Sequence, residues 1–231
     1  MNLTWETIDG LIKHNGIIQE TIKTYDLSKN FTFDLYKNPS LEAQIASLSD
    51  DRAYIAHDFD DALRSGIFSI SGLAKNQDQF NFIDFSYIAN LDKSVARNYF
   101  SRSIMNFLIL DLLNQTETTL INSPEIKSYL DVINNPNFLV KFSPVVLEKV
   151  KFLKNYLFEY FYTSDFVFKN RTQAEKILVS IIKLLNNDIN ILPSKWRDKI
   201  QKDKDKKQTI VDYVCGMTDQ YAINFYNTYA S

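Results

Sequence analysis

A chain of 231 residues is long enough for one large domain or two small ones, and 45% hydrophobic with 23% charged residues is an ordinary globular composition. This composition excludes collagen-like, disulfide-scaffold and wholly disordered proteins. The 26 basic and 28 acidic residues give a net charge of −2, which argues against a nucleic-acid-binding surface.

The single cysteine, Cys215, excludes an intrachain disulfide and fits a reducing compartment. The first residues contain neither the basic nor the apolar region of a secretory signal. No stretch approaches the roughly 18 uninterrupted apolar residues of a membrane span. We therefore expect a cytoplasmic protein that does not enter a membrane.

The chain predicts an all-α fold, because it has few turn-forming residues (5 Gly and 5 Pro) and lacks the Val and Thr runs that alternate in strands. It contains no internal repeat and no linker rich in Gly and Ser. We expect a single helical domain over residues 1–231.

The first predicted helices have clear start and stop signals. Residues 4–14 predict a short helix with Thr4 as N-cap, an apolar face of Trp5, Ile8, Leu11 and Ile12, and an end near Gly16. The Pro39-Ser40 pair opens the best helix of the chain, 41–65, and Gly66 follows its end.

Further helices are predicted after a connecting stretch, 67–90, which carries a Phe-rich patch. A second long helix is predicted over about 92–114. Three later helix starts are predicted from cap-like residues, at Ser123-Pro124, Ser143-Pro144 and Asn170-Arg171-Thr172. Leu192-Pro193-Ser194 opens a short helix that contains Trp196.

The densest charge cluster is the lysine-rich run 199–207. We interpret it as a solvated helix end or loop, because Asp203 and Asp205 dilute its positive charge. Contact with phosphate or RNA is the alternative.

The long helix 41–65 carries a polar face that could do chemistry. At 100° per residue, Asp50, Tyr54, His57 and Asp61 fall within about 60° of arc, with Asp58 beside them. Oxygen and imidazole ligands hold divalent cations, so this face suits a metal or a phosphate ester. A solvated face is the alternative, since amphipathic helices carry charges opposite their apolar arc.

Other familiar sites are argued against by the sequence. With 2 histidines, His14 and His57, the chain cannot build a multi-histidine metal site alone. The Gly-x-Ser-x-Gly elbow, the Walker motif and the Rossmann glycine pattern are missing from the sequence.

Four ordered blocks resemble the bacterial deoxyguanosine triphosphate triphosphohydrolase (dGTPase-like) family of the HD superfamily. They are 2–7 (NLTWET), 10–16 (GLIKHNG), 41–46 (LEAQIA) leading into 50–61 (DDRAYIAHDFDD), and 212–222 (DYVCGMTDQYA). The resemblance implies an all-helical HD-type fold and the hydrolysis of dGTP or another deoxynucleoside triphosphate to deoxynucleoside and tripolyphosphate. It also implies a divalent metal, Mn²⁺ or Mg²⁺, and symmetric oligomers.

The resemblance assigns roles to three residues of the polar face. Asp50 matches the last metal ligand of the family, Tyr54 the tyrosine that packs against the deoxyribose, and Asp58 the carboxylate that accepts a hydrogen bond from the sugar 3′-hydroxyl. A flat ring close to C2′ would crowd out a 2′-hydroxyl, so Tyr54 would favour deoxynucleotides.

The family's first metal histidine, its His-Asp pair and its catalytic His and Glu match nothing in this chain, which corresponds to the C-terminal portion. We therefore predict no catalytic residue in this chain. Lys13, His14 and His57 are weaker candidates for substrate or metal contact. The alternatives are an exposed helix-end lysine for Lys13 and a helix-terminal histidine partly satisfied by backbone for His14.

Two positions depart from the family pattern. Arg52 replaces an apolar residue and projects into the apolar arc of its helix, where a buried, unpaired guanidinium would be destabilising. Gln220 stands where the family usually has arginine.

The leading hypothesis is the C-terminal portion of a dGTPase-like protein, from a split gene or as a remnant, with weak or absent metal binding and little activity alone. The alternative is a helical interaction module that completes an active site with a separately encoded N-terminal half. The apolar residues of 107–113, which need cover, support that alternative.

Overall fold

The computed structural model describes residues 3–14, 16, 33–203 and 205–229, without the side chains of Asp51 and Asp203. These ranges fold into helices joined by turns, and no β-strand occurs among them. The predicted all-α class is therefore confirmed.

The α-helices of the described ranges differ widely in length, and α2, α5 and α8 are the longest. They are α1 (Trp5–Ile12), α2 (Leu41–Arg64), α3 (Ile70–Leu73), α4 (Phe85–Ile88), α5 (Lys93–Ile121), α6 (Tyr129–Asn134), α7 (Pro144–Leu157), α8 (Asp165–Asn187), α9 (Ser194–Asp203), α10 (Lys206–Cys215) and α11 (Asp219–Tyr229). Short 3₁₀ turns lie at Ala74–Asn76 and Ile189–Ile191, and a π-helical turn at Phe158–Tyr162.

Hydroxyl caps begin the helices whose starts were predicted correctly. The side-chain oxygen of Thr4 accepts from the backbone N–H of Thr7, and that of Ser40 from Ala43. Ser143 caps α7 in the same way, with Pro144 as its first residue. After α2, Gly66 has a φ of +78°, the left-handed conformation that glycine adopts without strain.

Three predicted boundaries are wrong. Helix α5 extends to Ile121 rather than ending near Asn114. Ser123-Pro124 starts no helix, because the capping box that opens α6 is formed later, by Ser128 and Asp131. Residues 170–172 lie inside α8, which begins after the cap Ser164.

The contacts divide the chain into two compact units, residues 1–161 and 162–231. In unit 1, α2 packs against α1, α5 and α7. The rings of Phe59, Phe80 and Phe100 are fully buried and lie 5.7–5.8 Å apart, centroid to centroid. The Phe-rich patch of the sequence is thus part of this core.

Unit 2 has its own core, built by α8, α10 and α11. Ile181 and Leu185 of α8 are fully buried, and Tyr213 packs edge-on against Trp196 of the predicted short helix α9. Cys215 is exposed at the end of α10. The single domain over residues 1–231 stays a prediction.

In the ranges given above, every helix is too short or too polar to cross a membrane.

Candidate functional site

The polar face predicted on α2 is exposed in the structure. Asp50, Tyr54, His57 and Asp61 all point to solvent, and Tyr54 is 60% exposed. Asp58 is half-buried. On the other side of the helix, Ile55, Ala56, Phe59 and Ala62 are buried as expected. Ile45 was expected on the apolar side but is 40% exposed.

Two of these residues meet a third candidate at one place, the Asp50 depression. This depression of about 450 Å³ is lined by His14, Gly16, Ser47, Leu48, Asp50, Tyr54 and Phe138. Its size lies in the range of about 300–1,000 Å³ that small-molecule sites occupy. Asp50, Tyr54 and His14 are therefore brought together, whereas His57 and Asp58 follow further along α2.

Contacts between α1 and α2 hold His14 at the depression. The helices approach so closely at Gly10 that a Cβ placed there would lie 3.0 Å from the Cβ of Ala43. Beyond α1, the Ser47 hydroxyl donates a hydrogen bond to the backbone carbonyl of His14. Gly16 then takes a φ of +102°, which favours glycine.

Lys13 is buried, so the alternative of an exposed helix-end lysine is wrong. Its Nζ lies 2.7 Å from Oδ1 of Asp9, and both side chains are 2% exposed. Residues four apart share one side of a helix, so this ion pair lies on the side of α1 that faces the protein. Leu11, expected on the apolar face, points outward and is 61% exposed.

Phe138 reaches the depression because buried amides hold its loop. The Gln44 side chain is fully buried, and its Oε1 accepts hydrogen bonds from the backbone N–H groups of Leu139 and Val140, at 3.0 and 3.2 Å. Asn38 Nδ2 donates to the carbonyls of Asn135 and Asn137. Sequence analysis missed these anchors, since nothing in the local pattern links residues 38–44 to 135–140.

Arg52 is not the fully buried, unpaired guanidinium that helix projection suggested. It is half-buried, and its guanidinium carbon lies 5.3 Å from the ring centroid of Phe142, a cation–π contact. Burial lowers the pKa of Arg52 from its usual value. The same positive charge, after burial itself, lowers the pKa of Lys154.

Carboxylates border a second groove that shares His14 with the Asp50 depression. It measures about 390 Å³ between α1 and α2, and Glu6 and Glu42 are among its lining residues. Burial raises the pKa of the nearby Tyr129, and the negative charges of Asp9 and Glu6 raise it further. This side of unit 1 is therefore electronegative, which favours cations over bare anions.

The donors at the Asp50 depression do not form a complete metal site. Carboxylate and imidazole suit Mn²⁺ or Mg²⁺ in chemistry, and Asp50 and His14 supply one of each. However, the described residues include no cluster of three or more His, Cys, Asp or Glu side chains able to hold a metal. This part of the chain therefore cannot hold a catalytic metal by itself.

The lysine-rich run 199–207 is partly engaged within unit 2. Lys199 Nζ lies 2.9 Å from the Asp212 carboxylate, and Lys206 Nζ donates to the backbone carbonyl of Asn186. These contacts agree with the interpretation of the run as a helix end. That nucleic acid does not bind here stays a prediction.

Comparison with known proteins adds two findings. Residues 140–228 match the family described as phosphohydrolase-associated domain. Over 98–100% of its length the chain is also similar to deoxyguanosinetriphosphate triphosphohydrolase-like proteins, 37% identical in Rickettsia bellii, 37% in Rickettsia canadensis and 36% in Rickettsia felis. The chain spans 62% of the length of each of these relatives. The family resemblance read from the four sequence blocks is thereby confirmed.

Proposed function

Because the chain is a relative of the deoxyguanosinetriphosphate triphosphohydrolase-like proteins, we propose that it is the substrate-binding portion of a metal-dependent hydrolase acting on dGTP or another deoxynucleoside triphosphate. The reaction adds water across the bond between the α-phosphorus and the 5′-oxygen. Its products are the deoxynucleoside and tripolyphosphate.

One observation carries the proposal: Asp50 and Tyr54, which the resemblance assigns to metal and sugar, line the same depression. Helix projection alone places them on one face of α2. The structure adds His14 from a separate part of the chain and closes the other side with Phe138. Convergence of a carboxylate, an imidazole and two aromatic rings is typical of a nucleotide site.

Each residue has a proposed role. Tyr54 packs against the deoxyribose, and its exposed ring is available to do so. Asp58, one turn further along α2, accepts a hydrogen bond from the 3′-hydroxyl. Asp50 donates one carboxylate oxygen to a divalent cation, which when bound supplies positive charge between this carboxylate and the triphosphate.

The proposed activity requires a second polypeptide. The donor set of the described residues is incomplete, and the chain covers 62% of its relatives. We therefore propose that the chain alone is inactive and that a polypeptide equivalent to the unmatched part of the relatives completes the site. A cytoplasmic location and assembly into homo-oligomers belong to the same proposal.

Nucleotide binding at the Asp50 depression is tested by NMR of the 2 imidazole rings. His14 lines the depression, whereas His57 is exposed elsewhere on α2, so His57 is an internal control. We expect dGTP with Mg²⁺ to shift the His14 signals and leave those of His57 unchanged. A shift of His57 alone, or of neither ring at millimolar nucleotide, would contradict the proposal.

A further inference from the structure

A continuous apolar surface on α2 and α5 lies exposed beside the Asp50 depression. On α5, the exposed or half-exposed residues recur at helical spacing over about 18 Å of axis. Together with one residue of α2 they form what we call the α2–α5 face: Ile45, Ile109, Leu110, Leu113, Leu120 and Ile121. Leu113 is 56% exposed and Ile121 71%.

The α2–α5 face is concave as well as apolar. A groove of about 310 Å³ runs along it, with Ile45 on one side and Leu113 and Ile121 on the other. Glu117 is the one charged residue among those that line this groove. A groove between two helices receives the side-chain ridge of a third helix, and burial of its apolar residues drives such packing.

The face and the candidate site share helix α2. Ile45 precedes Asp50 by five residues, about 7.5 Å along the axis. Between them the exposed side of α2 carries only small residues, Ala46 and Ser49. A helix packed on Ile45 and Leu113 can therefore approach α2 closely and reach the position of Asp50.

We infer that the α2–α5 face docks an amphipathic helix of the polypeptide that completes the active site, and that this contact sets the missing metal ligands opposite Asp50. This inference rests on the proposed function. Two facts identify the occupant: more than a third of each relative has no counterpart in this chain, and the donor set at Asp50 is incomplete among the described residues. A partner that only covered apolar surface would have no reason to lie next to that carboxylate.

The test measures binding without nucleotide or metal. This chain is mixed with the polypeptide corresponding to the unmatched part of the Rickettsia bellii relative, and the dissociation constant is measured. Leu113→Asp is expected to weaken binding at least about tenfold. Val145→Asp is the matched control, because Val145 of α7 is as exposed as Ile121, at 71%, and lies outside the groove. It should leave the affinity unchanged.

A second format covers a partner that does not fold alone. The same polypeptide is fused to this chain, and melting temperatures are compared. In the fusion Leu113→Asp should lower the melting temperature by several degrees more than Val145→Asp, whereas in the chain alone both changes should be small. Equal effects of the two substitutions in both formats, or self-association of this chain that Leu113→Asp abolishes, would overturn the inference.

The outcomes separate this inference from the proposed function. Binding that depends on Leu113 but yields no tripolyphosphate from any deoxynucleotide would uphold the docking face and contradict the proposed function. Tripolyphosphate release that is indifferent to Leu113→Asp would do the reverse.

Discussion

Asp9 and Lys13 form an ion pair of 2.7 Å inside the protein, one turn apart on α1 and both 2% exposed. The next residue, His14, lies at the Asp50 depression. The pair thus fixes the end of α1 just before the side chain that the candidate site uses. It also explains why α1, which is only two turns long, holds a defined position on α2.

Removing one partner of this pair should destabilise the protein. Lys13→Met leaves a buried carboxylate without its cation, so we expect the free energy of unfolding in urea to fall by about 3–5 kcal/mol. The double variant Asp9→Leu with Lys13→Met should recover much of that loss. Lys151→Met is the control, because Lys151 and Glu148 pair at 2.6 Å in solvent, where such a pair contributes about 1 kcal/mol or less. A loss for Lys13→Met as small as the control's would contradict the structural role.

Gln44 should be required to hold the loop that carries Phe138. Gln44→Met leaves the buried N–H groups of Leu139 and Val140 without an acceptor, so the free energy of unfolding should fall by at least about 2 kcal/mol. Hydrogen exchange of these two amides should accelerate. Gln77→Met, at an exposed position, should change stability by no more than about 0.5 kcal/mol. Unchanged exchange at residues 139 and 140 would show that Gln44 does not anchor the loop.

Tyr54 should determine the preference for deoxynucleotides. In the assembled enzyme, Tyr54→Ala removes the ring that crowds the 2′-hydroxyl, so the ratio of kcat/KM for dGTP over GTP should fall about tenfold or more. Tyr36→Ala is a suitable comparison, because Tyr36 is 73% exposed and does not line the depression. Equal ratios in the two variants would remove Tyr54 from sugar selection.

Unit 2 should lose stability in alkali through Tyr213. Burial raises the pKa of Tyr213 above its ordinary value near 10, and a hydrogen bond with the Tyr221 hydroxyl at 3.1 Å adds to the shift. The unfolded chain ionises first, so this contribution is complete below about pH 10 and is lost as the pH rises further. Tyr213→Phe should show a shallower loss of stability between about pH 9 and pH 11 than the unchanged protein or Tyr36→Phe. Identical slopes would contradict the shift.

Helix starts could be predicted where a hydroxyl residue precedes a long amphipathic pattern. Ser40 and Ser143 are such positions, and both cap their helices. The prediction failed at Ser123, where a similar Ser-Pro pair lies in a turn, because the capping box of Ser128 and Asp131 offers two reciprocal hydrogen bonds instead of one. Local sequence does not rank competing caps.

The candidate site could be predicted only as far as one helix extends. Asp50 and Tyr54 share a face of α2, so helical spacing places them together. His14 and Phe138 reach the same depression through tertiary contacts, made by Ser47 and Gln44, that leave no periodic signal. The burial of Lys13 was missed for the same reason, since its partner Asp9 matters only once α1 packs on α2.

The central claim is that this chain donates Asp50 to an active site completed by a second polypeptide. The most direct test measures tripolyphosphate release from the four deoxynucleoside triphosphates with Mn²⁺ or Mg²⁺. It compares the chain alone with the chain mixed with, or fused to, the polypeptide equivalent to the unmatched part of the Rickettsia bellii relative. We predict release only when both parts are present, and its loss in Asp50→Asn. Release by the chain alone, or full activity of Asp50→Asn in the assembly, would contradict the claim.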